Sequence, residues 1–139
     1  MTFIPFLIVP LILYNVFAFG FTGGSDADPW AAVLISFNMV SGAPFELKLG
    51  ATLILVALLL LFFEVLKSTR IGSITIWDHM LSTFVFVAYL LEFVLVPAAA
   101  TDLFFVLTAI ALIDLLAGFA VSLRTATRDV AINGGDFPG

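Results

Sequence analysis

The sequence predicts an all-α membrane protein, a bundle of four transmembrane helices with a short extracytoplasmic β-hairpin between the first two, built as one domain over 1–139. Three observations predict it. Of the 139 residues, 63% are hydrophobic and 11% charged, with a mean hydropathy of +1.24. A soluble domain this small has no interior large enough to hide so much apolar surface. Four apolar runs, at about 3–21, 50–67, 77–96 and 102–123, each approach the roughly 20 residues that cross a bilayer. Between the first two runs the pattern changes from continuous to alternating.

The first run has no Lys or Arg before it, and Ala18-Phe19-Gly20 is a poor cleavage site. It therefore reads as a span rather than a signal peptide. Pro5 falls in its first turn, whereas Pro10 falls inside and predicts a kink from a lost backbone bond. Asn15 is the polar residue beyond that point, of a type that glues helices together in membranes.

Residues 22–29 are a polar break, followed by Trp30, an interfacial type. From Ile35 to Met39, and again from Phe45 to Leu49, apolar and polar residues alternate around Ser41, Gly42 and Pro44. Period-two runs flanking a turn read as a β-hairpin over about 33–49. The rival reading is a short interfacial helix capped by Asp28, with Pro29 at its first position. The hairpin is favoured because Phe45 to Leu49 fits a strand better. A lone hairpin is marginal in water, so it is expected to rest on the bundle rim or on another protein.

The second span is dense in leucine and carries Glu64 one turn before Lys67. In the third, Asp78, Ser82, Tyr89 and Glu92 form a stripe, with His79 alongside. The fourth carries Asp114 amid apolar residues. Thr108, Ala111, Asp114, Gly118 and Ser122 recur at spacings of three and four, which puts them on one helical face suited to helix packing. A central Asp costs roughly 2.5–3.5 kcal/mol on insertion, while about a dozen Leu, Ile, Phe and Val contribute on the order of −4 to −8 kcal/mol. The segment inserts, and the carboxyl is expected to face the bundle. The tail, 125–139, reads as flexible.

Lys67, Arg70, Arg124 and Arg128 fall on one side of a four-span thread and Lys48 on the other. The positive-inside rule then places both termini in the cytoplasm and the hairpin outside. The chain is expected to be a multi-pass membrane protein.

Folding the third and fourth spans about Ala99 sets Asp114 between Ser82 and Tyr89, either of which has a hydroxyl to donate. Folding the second and third about Gly72 sets Glu64 near His79 and Met80. The result is a ladder of polar groups across the thickness: Glu64, His79, Asp114, Tyr89, Asn15 and Glu92. It reads either as a proton or cation path or, preferentially, as separate interhelical hydrogen bonds with Glu64 and Glu92 near head groups. His79 beside Asp78 suits a pH-sensitive pair, and more often such a histidine is an interfacial hydrogen-bonder.

Cysteine is absent and histidine occurs once, which excludes disulfides, thiolate metal sites and bis-histidine haem within one chain. No nucleophile triad, metal-ligand cluster or phosphate loop is present as a motif. No enzymatic activity, catalytic residue, metal or cofactor is expected. A net charge of −5 argues against nucleic acid. The expected partners are membrane lipid and either a partner membrane protein or further copies of the chain.

The runs Phe62-Phe63-Glu64-Val65-Leu66-Lys67 and Asp78-His79-Met80-Leu81-Ser82-Thr83, with the segment from Ile113-Asp114 to Gly118, resemble a group of small, uncharacterised bacterial inner-membrane proteins. The resemblance covers most of the chain. It implies a four-helix inner-membrane protein and no particular activity. Small multidrug exporters share the size and helix count, but they place a glutamate in the first helix, where this chain has only Asn15.

The expected function is that of an accessory, assembly or scaffold subunit of a larger membrane complex. The alternative is a small proton- or cation-coupled channel or transporter using Asp114.

Overall fold

A computed structural model describes residues 4–20, 28–69 and 74–133. In chain order it contains α1 (Ile8–Asn15), β1 (Val33–Asn38), β2 (Pro44–Lys48), α2 (Leu49–Ser68), α3 (Ile74–Leu95) and α4 (Asp102–Asn133). The fold is mostly helical, with four helices and one antiparallel hairpin. α2, α3 and α4 are long and apolar enough to cross a membrane. At about 1.5 Å per residue, the 20 residues of α2 reach about 30 Å.

The first helix differs from the expected span. It starts at Ile8 and continues past Asn15 as a π-helical stretch, Val16–Gly20, so its described helical length, Ile8–Gly20, falls short of a bilayer crossing. Pro10 explains the start. It has no N–H to donate to the Phe6 carbonyl, which instead accepts from Val9 at 3.1 Å, just as Pro5 accepts from Ile8 at 3.2 Å. Pro10 therefore lies in the first turn of α1, where a missing donor breaks no helical bond. A π-helical stretch begins six residues after Pro10, of the kind that arises as a local irregularity inside α-helices.

The hairpin forms as the alternation predicts. Ile35 pairs with Leu47, Ser36 with Glu46 and Phe37 with Phe45. One face therefore carries Ile35, Phe37, Phe45 and Leu47, and the other Ser36 and Glu46. The connection is a three-residue loop, Val40 to Gly42, closed by Gly42 N–H to Met39 O at 2.8 Å and Met39 N–H to Ala43 O at 2.9 Å. Gly42 sits at φ +83, the left-handed position that such a loop requires. The rival helix survives as one 3-10 turn, Pro29–Ala31, with the Asp28 carboxylate accepting from Trp30 N–H at 3.1 Å. β2 then runs into α2 without a linker, anchored by Leu49 N–H to Ala32 O at 2.8 Å.

α4 packs against both α2 and α3, and α1 lies against α2 and α4. The core is centred on α4: Phe104, Leu107, Ile110 and Ala111 are buried together with Leu53, Ala57, Val85, Tyr89, Leu7 and Tyr14. Phe104 and Ile110, which lie outside the small and polar stripe of this helix, belong to this core. Thr101 caps α4 by accepting from Phe104 N–H at 3.1 Å. α4 also runs on to Asn133 rather than ending near Arg124. Residues 125–133 contain no Gly or Pro to stop a helix, so the expected tail begins as helix; 134–139 lie outside the described residues.

The exterior of the bundle is apolar. Leu59, Phe62 and Phe63 of α2, Phe84, Leu91 and Val94 of α3, and Phe105, Ile113, Leu116 and Phe119 of α4 are all exposed, while Glu64, Ser82, Thr108 and Asp114 are buried. This reverses the polarity of a water-soluble surface.

Candidate functional site: two buried polar layers

The expected polar candidates separate into two layers. The first surrounds Glu64 on α2, which is only 3% exposed. Its Oε2 accepts from the backbone N–H of Phe6 at 2.8 Å, and its Oε1 lies 2.8 Å from Lys67 Nζ. The segment leading into α1 ends in N–H groups that no carbonyl of its own helix can take. A carboxylate from a neighbouring helix supplies one acceptor and places negative charge at the positive end of the peptide dipoles. The expectation that Glu64 finds head groups near the end of its span is corrected: α1 starts against it and buries it.

Lys67 ties the layer together. Its ammonium sits 5.0 Å from the centroid of the Phe6 ring and 3.9 Å from Asp78 Oδ1 on α3. Asp114, 6% exposed on α4, lies beside Ser82 of α3 and within electrostatic reach of Glu64 and Lys67. Of the two hydroxyls expected to reach Asp114, Ser82 lies beside it, while that of Tyr89 donates to the Leu7 carbonyl instead.

His79 is not part of this contact set. The ion pairs run from Glu64 through Lys67 to Asp78, the neighbour of His79 in the chain. The His79 ring stacks on Phe119, 5.8 Å away, and packs against Gly118, where a Cβ would stand 3.3 Å from Nδ1. Gly118 of the small-residue stripe thus makes room for His79. Thr108 and Ser122 return their hydroxyls to their own helix, to Phe104 O at 2.8 Å and Gly118 O at 2.9 Å. Thr108 and Ala111 are buried, so they serve close packing rather than interhelical hydrogen bonding.

The second layer is aromatic. Tyr89, 1% exposed, donates to the Leu7 carbonyl at 2.8 Å. Tyr14 is fully buried; its hydroxyl donates to Ala98 O at 2.8 Å and lies 2.8 Å from Thr101 Oγ1. The Tyr14 ring stacks on Trp30 at 4.6 Å and meets Phe104 edge-on at 4.7 Å. Asn15 bonds back to Leu11 O at 3.0 Å and lies beside Glu92, whose Oε1 is buried without a hydrogen-bond partner among the described residues. Glu92 is therefore half-buried, with one carboxylate oxygen shut off from solvent.

The sequence reading singled out neither Tyr14 nor Thr101. Their partners are a backbone carbonyl and each other, and carbonyls leave no mark in a sequence. Tyr89→Phe removes one such bond while keeping the ring. The expected cost is about 1 kcal/mol, read as a lowered unfolding midpoint in detergent.

No protein-family model, curated protein or solved structure matches this chain. Among the described residues, no group of three or more His, Cys, Asp or Glu is placed to hold a metal ion.

Proposed function

We propose that this chain is a small integral protein of a bacterial inner membrane that acts as an accessory, assembly or scaffold subunit of a larger membrane complex. The observation that carries the reading is where the polar groups end. Glu64, Tyr89 and Tyr14 are each closed off by hydrogen bonds within the chain, and Asp114 is buried beside Ser82. The surfaces left for contact are apolar helix faces and a hairpin whose Ile35, Phe37, Met39 and Val40 are exposed. Such surfaces suit lipid and a partner membrane protein or a further copy. In the proposed orientation the hairpin is extracytoplasmic and the C-terminal end cytoplasmic, following the Lys and Arg distribution; placing the N-terminus in the cytoplasm as well requires the 3–21 run to cross, along the path from Phe6 at Glu64 to Tyr14 at Ala98.

Purification in a gentle detergent is expected to recover a stoichiometric membrane partner or a defined homo-oligomer. Val40→Asp at the hairpin tip is expected to weaken that association while leaving the bundle folded. Recovery of a lone monomer from native membranes contradicts the reading.

The alternative reading, a proton- or cation-coupled channel or transporter, draws on one observation: Glu64, Lys67, Asp78 and Asp114 gather in one layer. It predicts a flux in reconstituted vesicles that Asp114→Asn abolishes. The subunit reading predicts no flux above protein-free vesicles in either form.

A further inference from the structure

The hairpin end of the bundle holds a groove of about 520 Å³ lined by α2, α4 and the turn before β1. Asp28, Lys48 and Asp102 bring charge to it, and Trp30, Ile54 and Leu103 supply its apolar surface. Trp30 and Leu103 close over Gly50: a Cβ there would lie in ordinary contact, 3.4 Å from the Trp30 backbone oxygen and 3.5 Å from Leu103.

We propose that this groove binds one zwitterionic phospholipid by its head group, with an acyl chain over the apolar surface. The proposal rests on the membrane reading above. Charge complementarity selects the occupant. Lys48 and Asp102 are exposed, and neither has an ion-pair partner among the described residues. Asp28 uses Oδ1 on the Trp30 N–H. Lys48 precedes α2 and gives that helix no side-chain cap; the Leu49 N–H is held by Ala32 O, and the next N–H groups of the first turn together with the lysine ammonium favour a phosphate. The two carboxylates favour an ammonium. A phosphate and an ammonium held a few bonds apart above acyl chains are what a zwitterionic phospholipid offers. A purely anionic lipid would satisfy Lys48 and be repelled by both aspartates.

The test uses the full chain in vesicles containing equal amounts of phosphatidylethanolamine and phosphatidylglycerol. Bromine is carried on the acyl chains of one lipid or the other, so only the position of the quencher changes. The chain has two tryptophans, Trp30 and Trp77. Trp77→Phe leaves Trp30 as the groove reporter, and Trp30→Phe leaves Trp77, exposed on α3, as the general lipid reporter. Trp30 is expected to be quenched roughly two- to fivefold more effectively by brominated phosphatidylethanolamine, as one or two partly exposed ion pairs allow. Trp77 is expected to be quenched equally by both. Lys48→Gln with Asp102→Asn is expected to erase the Trp30 preference. Equal quenching of Trp30, or a preference for phosphatidylglycerol, with Trp77 quenched, overturns the head-group site and leaves the membrane reading standing. If neither tryptophan is quenched by either lipid, the membrane reading fails and the groove site falls with it.

Discussion

Glu64→Ala is expected to destabilise the fold by about 3 kcal/mol, the size of effect seen when one partner of a buried ion pair is removed. Two groups are left stranded at once. The Phe6 N–H loses its acceptor, and Lys67, whose ammonium is buried, loses its 2.8 Å counter-ion and keeps only Asp78 at 3.9 Å. The consequence is local as well as global. Glu64 holds the entry to α1 against α2, so that entry is expected to loosen first and exchange its amide hydrogens faster. Glu64→Gln separates the two contributions. Its side-chain oxygen still accepts from Phe6, so an intermediate loss is expected. If Glu64→Ala unfolds at the wild-type detergent concentration, the capping account of α1 is wrong.

Phe104→Ala is expected to cost about 2 kcal/mol or more. Phe104 is fully buried, with Tyr14 at 4.7 Å, Tyr89 at 5.5 Å and Phe93 at 6.5 Å between ring centroids. In a water-soluble core, phenylalanine-to-alanine changes cost about 3–5 kcal/mol. In lipid or detergent the unfolded chain is also in an apolar medium, so much of the transfer part disappears and the cavity with its lost contacts remains. Phe105 next to it is 59% exposed, and Phe105→Ala is expected to change stability by less than about 0.5 kcal/mol. Equal effects at the two positions, measured by denaturant titration in mixed micelles, would contradict the assignment of the inward face of α4.

These two residues mark the limits of what the sequence discloses. Phe104 looks like any other apolar residue of its run. Only the partners identify its face, and those partners come from α1 and α3. The polar stripe of α4 was legible because small and polar residues are rare enough there for spacing to stand out, and Thr108, Ala111 and Asp114 are buried as that spacing implies. The hairpin was legible because period-two alternation around Gly42 has no helical equivalent. Three features were not. The start of α1 depends on which carbonyl Pro10 leaves unserved. The burial of Glu64 depends on where α1 begins. The continuation of α4 to Asn133 depends on the absence of a breaker rather than on an apolar pattern. Among site pairs, Asp114 with Ser82 followed from simple antiparallel register, whereas Tyr89 reached a backbone carbonyl that no side-chain pattern predicts.

The central claim is that the few polar groups of this bundle turn inward and its apolar faces meet lipid. The chain contains no cysteine, so each single-cysteine variant carries one unique spin label. Oxygen accessibility measured along α4 in liposomes tests the claim most directly, because oxygen concentrates in the acyl region and is excluded from a packed interior. The account predicts a helical rhythm with maxima at Phe105, Leu112, Ile113 and Leu116 and minima at Thr108, Ala111 and Asp114. A label at Asp114 as open to oxygen as one at Ile113, or a trace without that rhythm, would contradict it.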